Sequence, residues 1–172
     1  LIVCDERSFY WRLTAKENLR FFATLYGFRG SDRHAQVMRC LTDAGIEDQA
    51  GTQLIRLSPG MRQRLAVARG LLLDPSILLM DEATRSLDPE YRSRIHSLVT
   101  GLIERDPDRI ILYSTHDLAE AELISGHVIV IRGGKIATEQ QLGANEMVGH
   151  TGGGRTYRIV TTPEISPEDI ED

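Results

Sequence analysis

Residues 77–82 read ILLMDE, an apolar run that stops on two adjacent carboxylates. An unbroken run of this kind fits a β-strand covered on both faces, and such strands belong to parallel sheets packed between helices. A second run, IILY over residues 110–113, repeats the pattern. Between the two lies a helix signature. Asp88-Pro89 supplies an N-cap and a first-position proline, and Tyr91, Ile95, Leu98, Val99 and Leu102 recur at threes and fours. Asp106-Pro107 closes it. Strand, helix, strand predicts an α/β fold on a parallel sheet. A short helix is expected over 118–124 and a hairpin over 128–138, turned by Gly133-Gly134. A further strand is expected at 156–161, beyond the flexible joint Gly152-Gly153-Gly154. Residues 163–172 are acidic and start no complete element.

The first part of the chain reads differently. Residues 1–3, LIV, look like a core strand, and a start without Met is read as a cut through a larger protein. Thr14-Ala-Lys-Glu17 is a capping box. The helix it opens carries Leu19, Phe22, Ala23 and Tyr26 on one face and stops at Gly27. A second helix is expected over 31–44, with Val37, Met38 and Leu41 inward and Gly45 as its stop. A third begins in SPGMRQRLAVARG, residues 58–70. Ser58 caps it and Pro59 takes the first position, so its free N–H groups and its dipole make an anion site. Gly60 lets a phosphate or another backbone come close. Met61, Leu65, Ala68 and Leu72 form its expected buried face, with Arg62, Arg64 and Arg69 away from that stripe.

The chemistry-bearing residues gather at strand ends. Asp81 and Glu82 finish one strand, where open α/β sheets place their ligands. One carboxylate can hold Mg²⁺, usually through water, and the other can orient a water at a phosphate. His116, in YSTHD, finishes the next strand and can donate to a phosphate oxygen. Each has a plainer reading as well: a solvated strand end, a polar loop histidine, and an ordinary helix cap at Asp88. Residue types alone do not choose between them. A phosphate-cradling G-x-x-x-x-G-K-[ST] loop is absent from the 172 residues. Among the 20 Lys and Arg residues only Lys16 and Lys135 are lysine, and the one Gly-Lys pair, Gly134-Lys135, is followed by Ile136 in the hairpin.

Bulk properties exclude several classes. A net charge of −5 offers no duplex-binding face, so no nucleic-acid partner is expected. No sustained heptads appear. Cys4 and Cys40 form neither a zinc spacing nor a disulfide framework, which points to a reducing cytosol. No apolar run approaches a membrane span.

Residues 57–89, LSPGMRQRLAVARGLLLDPSILLMDEATRSLDP, resemble the core of an ATP-binding cassette (ABC) transporter nucleotide-binding domain. LSPGM falls on the signature motif, ILLMDE on Walker B, residues 86–89 on the D-loop and His116 on the switch histidine. Residues 3–14 align with the Q-loop region, and LTAKENLRFFATLYG is similar to export-type cassettes. The resemblance runs over about residues 1–142. It implies part of a P-loop NTPase-type α/β core with an inserted helical subdomain. The divisions it suggests are a Q-loop region at 1–13, the helical subdomain at 14–73, the catalytic core at 74–147, and a linker with a C-terminal extension at 148–172.

The resemblance also implies roles. Asp81 would hold Mg²⁺ through water, and Asp5, standing where the family has glutamine, would reach a metal-bound water. Glu82 would polarise the attacking water and His116 would contact the γ-phosphate. Asp88 would sit at a dimer interface. Ser58 and Gly60, in a motif completed by Pro59 and Met61, would bind the γ-phosphate of ATP held on the other subunit. LSPGM replaces the usual LSGGQ, and Pro59 brings no N–H; Ala83 replaces a usual proline. The implied cofactors are ATP and Mg²⁺. The implied partners are a second nucleotide-binding domain and transmembrane permease subunits, at the cytoplasmic face of the plasma membrane. Arg7 and Arg12 with Phe9, Tyr10 and Trp11 suit a surface that meets a membrane-subunit helix. The expected function is ATP hydrolysis that powers transport, with these 172 residues alone inactive because they lack Walker A. The alternative is a non-catalytic partner half that supplies the signature motif in trans. The Asp81-Glu82 pair and His116 argue against it, since such a half needs no base.

Overall fold

The computed structural model describes residues 9–85, 87–124, 127–132, 135–140 and 156–161. Asp5, Arg7, Ser86, the LIV start, the Gly133-Gly134 turn, the 152–154 joint and the acidic 163–172 tail lie outside the described residues.

Three helices come first: α1 (Ala15–Leu25), α2 (Gly30–Asp43) and α3 (Pro59–Gly70). Helix α1 starts where the capping box places it. The Thr14 N–H donates to Glu17 Oε2 at 2.8 Å and the Glu17 N–H donates to Thr14 Oγ1 at 3.2 Å. Leu19 and Ala23 are buried as expected. Tyr26 is 44% exposed instead of inward, because the helix ends at Leu25 and Tyr26 is the cap residue, where the backbone departs. Gly27 then takes φ +92°, which a side chain resists. Buried Asn18 pins the segment before α1: the Tyr10 N–H donates to its Oδ1 at 2.8 Å, and its Nδ2 donates to the Tyr10 carbonyl at 3.1 Å.

The second part alternates strand and helix: β1 (Ile77–Asp81), α4 (Pro89–Arg105), β2 (Ile110–Thr115), α5 (Leu118–Ile124), β3 (His127–Arg132), β4 (Lys135–Gln140) and β5 (Thr156–Thr161). The sheet order is β1-β2-β5-β3-β4. Strands β1, β2, β5 and β3 run parallel and β4 turns back antiparallel on β3. The strand expected at 156–161 is present, and it lies inside the sheet, paired with β2 on one side and β3 on the other. Strand β1 departs from the expectation of burial on both faces. Leu78 and Met80 are buried, but Ile77 is 57% exposed, because β1 ends the described sheet and pairs there only with β2.

Helix α3 gives the largest correction. A buried stripe with arginines turned away was expected, yet Gln63, Arg64, Leu65, Ala66, Val67 and Ala68 are all buried. Its residues share one continuous core with those of the helical part and of β1, α4 and β2, so the helix is enclosed on most of its circumference. The arginines work as links. Arg64 Nη1 donates to the Gly45 carbonyl at 2.8 Å, and its guanidinium lies 3.4 Å from the Tyr91 ring centre. Arg69 lies over Phe9 at 4.6 Å and over Phe22 at 5.1 Å. Arg62 lies over Trp11 and donates from Nε to the Leu57 carbonyl at 3.0 Å. No helix among the described residues is long and apolar enough to cross a membrane.

Candidate functional site at the strand ends

Strands β1 and β2 run parallel with Asp81 beside Ser114, so their C-terminal ends open together. That register sets a chain of contacts. Ser114 Oγ donates to Asp81 Oδ1 at 2.6 Å and accepts the Glu82 N–H at 2.9 Å. Glu82 leaves the strand at φ +44°, a left-handed conformation that costs a non-glycine residue about 1–3 kcal/mol. It is held at each polar group. Gln63 Nε2 donates to its carbonyl at 3.2 Å, Arg85 Nη1 lies 2.9 Å from Oε2, and His116 Nδ1 lies 3.4 Å from Oε1. The structure thus brings Glu82 and His116 together, while Asp81, the residue before Glu82, is bonded to Ser114 and does not line their cleft. Glu82 and His116 line a cleft of about 40 Å³ with Thr84, Arg85 and Asp117, a polar space large enough for water.

One of the residues present fits an implied Mg²⁺ on its donor chemistry. Among the described residues no three His, Cys, Asp or Glu side chains gather into a metal cage. Asp81 is instead a single exposed carboxylate, which suits Mg²⁺, an ion that keeps waters and takes phosphate oxygens beside one or two carboxylates.

The signature residues stand apart from that cleft. Ser58 caps α3, its Oγ accepting the Met61 N–H at 3.2 Å. Pro59 has no N–H, so the Ser58 and Gly60 N–H groups and the Ser58 hydroxyl are the donors at this helix end that suit an anion. Neither Ser58, Pro59, Gly60 and Met61 nor Asp88 lines the cleft. Asp88 caps α4, its Oδ1 accepting the Tyr91 N–H at 3.1 Å.

The family pattern described as ABC transporter matches residues 2–85. The chain is 39% identical over 123 residues to Nod factor export ATP-binding protein I of Cupriavidus metallidurans, covering 72% of this chain and 40% of that protein. It is 39% identical over 127 residues to a fluoroquinolones export ATP-binding protein of Mycobacterium tuberculosis, covering 74% and 40%. The chain belongs to the ABC transporter family. Its structure also matches a solved dimeric ATP-binding cassette in a post-hydrolysis state bound to ADP and Pi, with a TM-score of 0.71 and 29% identity over 80% of this chain and 60% of that one. The chain spans 40% of the length of those two export relatives.

Sequence reasoning missed much of what supports this cassette corner. Ser114 was legible in principle, since it sits opposite Asp81 once the strands are aligned. Gln63 and Arg85 carried no spacing signal. The largest omission is Glu120 on α5, which is buried with Thr84, Tyr113, Thr115 and His96 around its carboxylate. Burial alone would raise its pKa. Hydrogen bonds from His96, Thr115, Thr84 and Tyr113 outweigh that and bring it down to about 2. Nearby, Arg92 Nη1 pairs with Asp117 Oδ2 at 3.1 Å.

Proposed function

We propose that this chain is part of the ATP-hydrolysing subunit of an ABC exporter, acting on MgATP. The observation that carries the reading is the Glu82–His116 approach of 3.4 Å at the ends of two adjacent parallel strands, beside Asp81 and a water-sized cleft. Asp81 is the residue placed to hold Mg²⁺, which when bound neutralises phosphate charge. Glu82 takes a proton from the attacking water, and with Arg85 on Oε2 the oxygen left for it is Oε1. His116, half exposed and next to Glu82, is placed to donate to a phosphate oxygen. Ser58 and Gly60 offer their donors to the γ-phosphate held by a second cassette, and Asp88 faces that partner. The Walker A loop lies outside these 172 residues in this reading, so the chain by itself does not turn over.

The helical unit at 14–73 passes motion from the core at 74–147 to permease subunits at the cytoplasmic face of the membrane. Export is favoured by the likeness to proteins named for Nod factor and fluoroquinolone export. The test is Glu82→Gln in the full-length protein, which keeps the side chain's shape and removes the base. Phosphate release is expected to fall at least about 100-fold with ATP binding retained. Hydrolysis close to the wild-type rate would overturn the reading.

A further inference from the structure

We infer that Glu120 is a positioning residue that clamps the Glu82 turn to the His116 turn and both of them to α4. The description of those turns as hydrolytic rests on the proposed function; the clamp itself rests on geometry. A carboxylate accepts hydrogen bonds and donates none, and here donors converge on it from separate elements. Thr84 Oγ1, two residues after Glu82, donates to Oε1 at 2.6 Å. Tyr113 OH, from β2, donates to Oε1 at 2.8 Å. Thr115 Oγ1, the residue before His116, donates to Oε2. His96 Nε2, from α4, lies 2.8 Å from Oε1 and therefore carries its proton there.

The clamp reaches further on the His116 side. The Asp117 N–H donates to Thr115 Oγ1 at 3.1 Å, and Asp117 Oδ1 in turn accepts the Ala119 N–H at 3.0 Å and the Glu120 N–H at 3.3 Å. His116 is therefore flanked by Thr115, which donates to the carboxylate, and by Asp117, which reaches it only through Thr115 Oγ1 and otherwise accepts the Glu120 backbone N–H. On the other side, Thr84 anchors the turn that holds Glu82 at its left-handed φ. The carboxyl's low pKa agrees with an acceptor-only role. Glutamine replaces it only at the cost of at least one of these bonds or a turned hydroxyl. One of its two terminal atoms becomes a donor and faces hydroxyls whose protons already point inward.

The test is residue-resolved amide hydrogen exchange on the full-length protein with three variants. Glu120→Gln is expected to speed exchange by about tenfold or more at 82–85 and 115–117, with α1 and α2 unchanged. Thr84→Val should loosen 82–85 only, and Thr115→Val should loosen 115–117 only. Unchanged exchange in both turns, or a uniform rise along the chain, would overturn the clamp. If Glu120→Gln does not fold, the two threonine variants decide on the same criteria. None of these measurements needs ATP. A clamp seen by exchange alongside an active Glu82→Gln protein would sink the functional reading and leave the clamp standing.

Discussion

Replacing Ser114 with alanine removes one hydroxyl that serves two neighbours. Its Oγ accepts the Glu82 N–H at 2.9 Å and donates to Asp81 Oδ1 at 2.6 Å. Asp81 is exposed, so water replaces the lost donor there and that contact contributes little. The Glu82 N–H is part-buried, and leaving it unpaired costs about 1–3 kcal/mol. The same bond helps hold φ +44°, and any relaxation of that strain returns part of the loss, which keeps the estimate at the middle of the range. Together these give an expected loss of about 2 kcal/mol for Ser114→Ala. For a chain of this size that is a fall in Tm of roughly 4–8 °C. Urea unfolding of the 172-residue chain, followed by circular dichroism, measures the change. The midpoint should fall with the slope unchanged. An unmoved midpoint at constant slope would refute the idea that the hydroxyl holds the Glu82 corner.

Two further outcomes are expected. Arg64→Met keeps the stem but loses the bond to the Gly45 carbonyl and the stacking on Tyr91, and unfolding should show a loss of about 2–4 kcal/mol. Arg64→Lys should not rescue it, since an ammonium cannot both stack and reach. The second concerns pH. Glu120 has its folded pKa lowered from 4.5 to about 2, so its stabilisation is fully present above 4.5 and is lost as pH falls from there through about 2. Glu120→Gln should therefore flatten the stability curve over that window. Glu17, lowered chiefly by its bond from the Thr14 backbone, acts in the same direction and cancels in the comparison.

Local signals were legible and long-range ones were not. The Thr14–Glu17 box, the Ser58 and Asp88 caps and the α5 bounds follow from neighbours within four residues. Helix α3 misled because an arginine reads as solvent-facing, although its planar head can be buried by stacking and a single carbonyl. The place of β5 between β2 and β3 could not be read, since an apolar strand carries no mark of its partners. At the site, Asp81, Glu82 and His116 stood out as candidates by type and position at strand ends, with a plainer reading of each left open. Glu120 looked like any polar residue on a short helix. Its donors lie up to 36 residues away in sequence, and only folding assembles them.

The left-handed backbone at Glu82 has a consequence for how this sequence can change over time. Glycine would adopt φ +44° without cost, so a Glu82→Gly substitution removes strain in the same step that removes the carboxylate. Under the proposed function, in which Glu82 is the base, selection for a relaxed backbone and selection for the reaction pull in opposite directions at one position. A copy of this gene released from the second could trade the Arg85 and His116 contacts of Glu82 for a relaxed backbone.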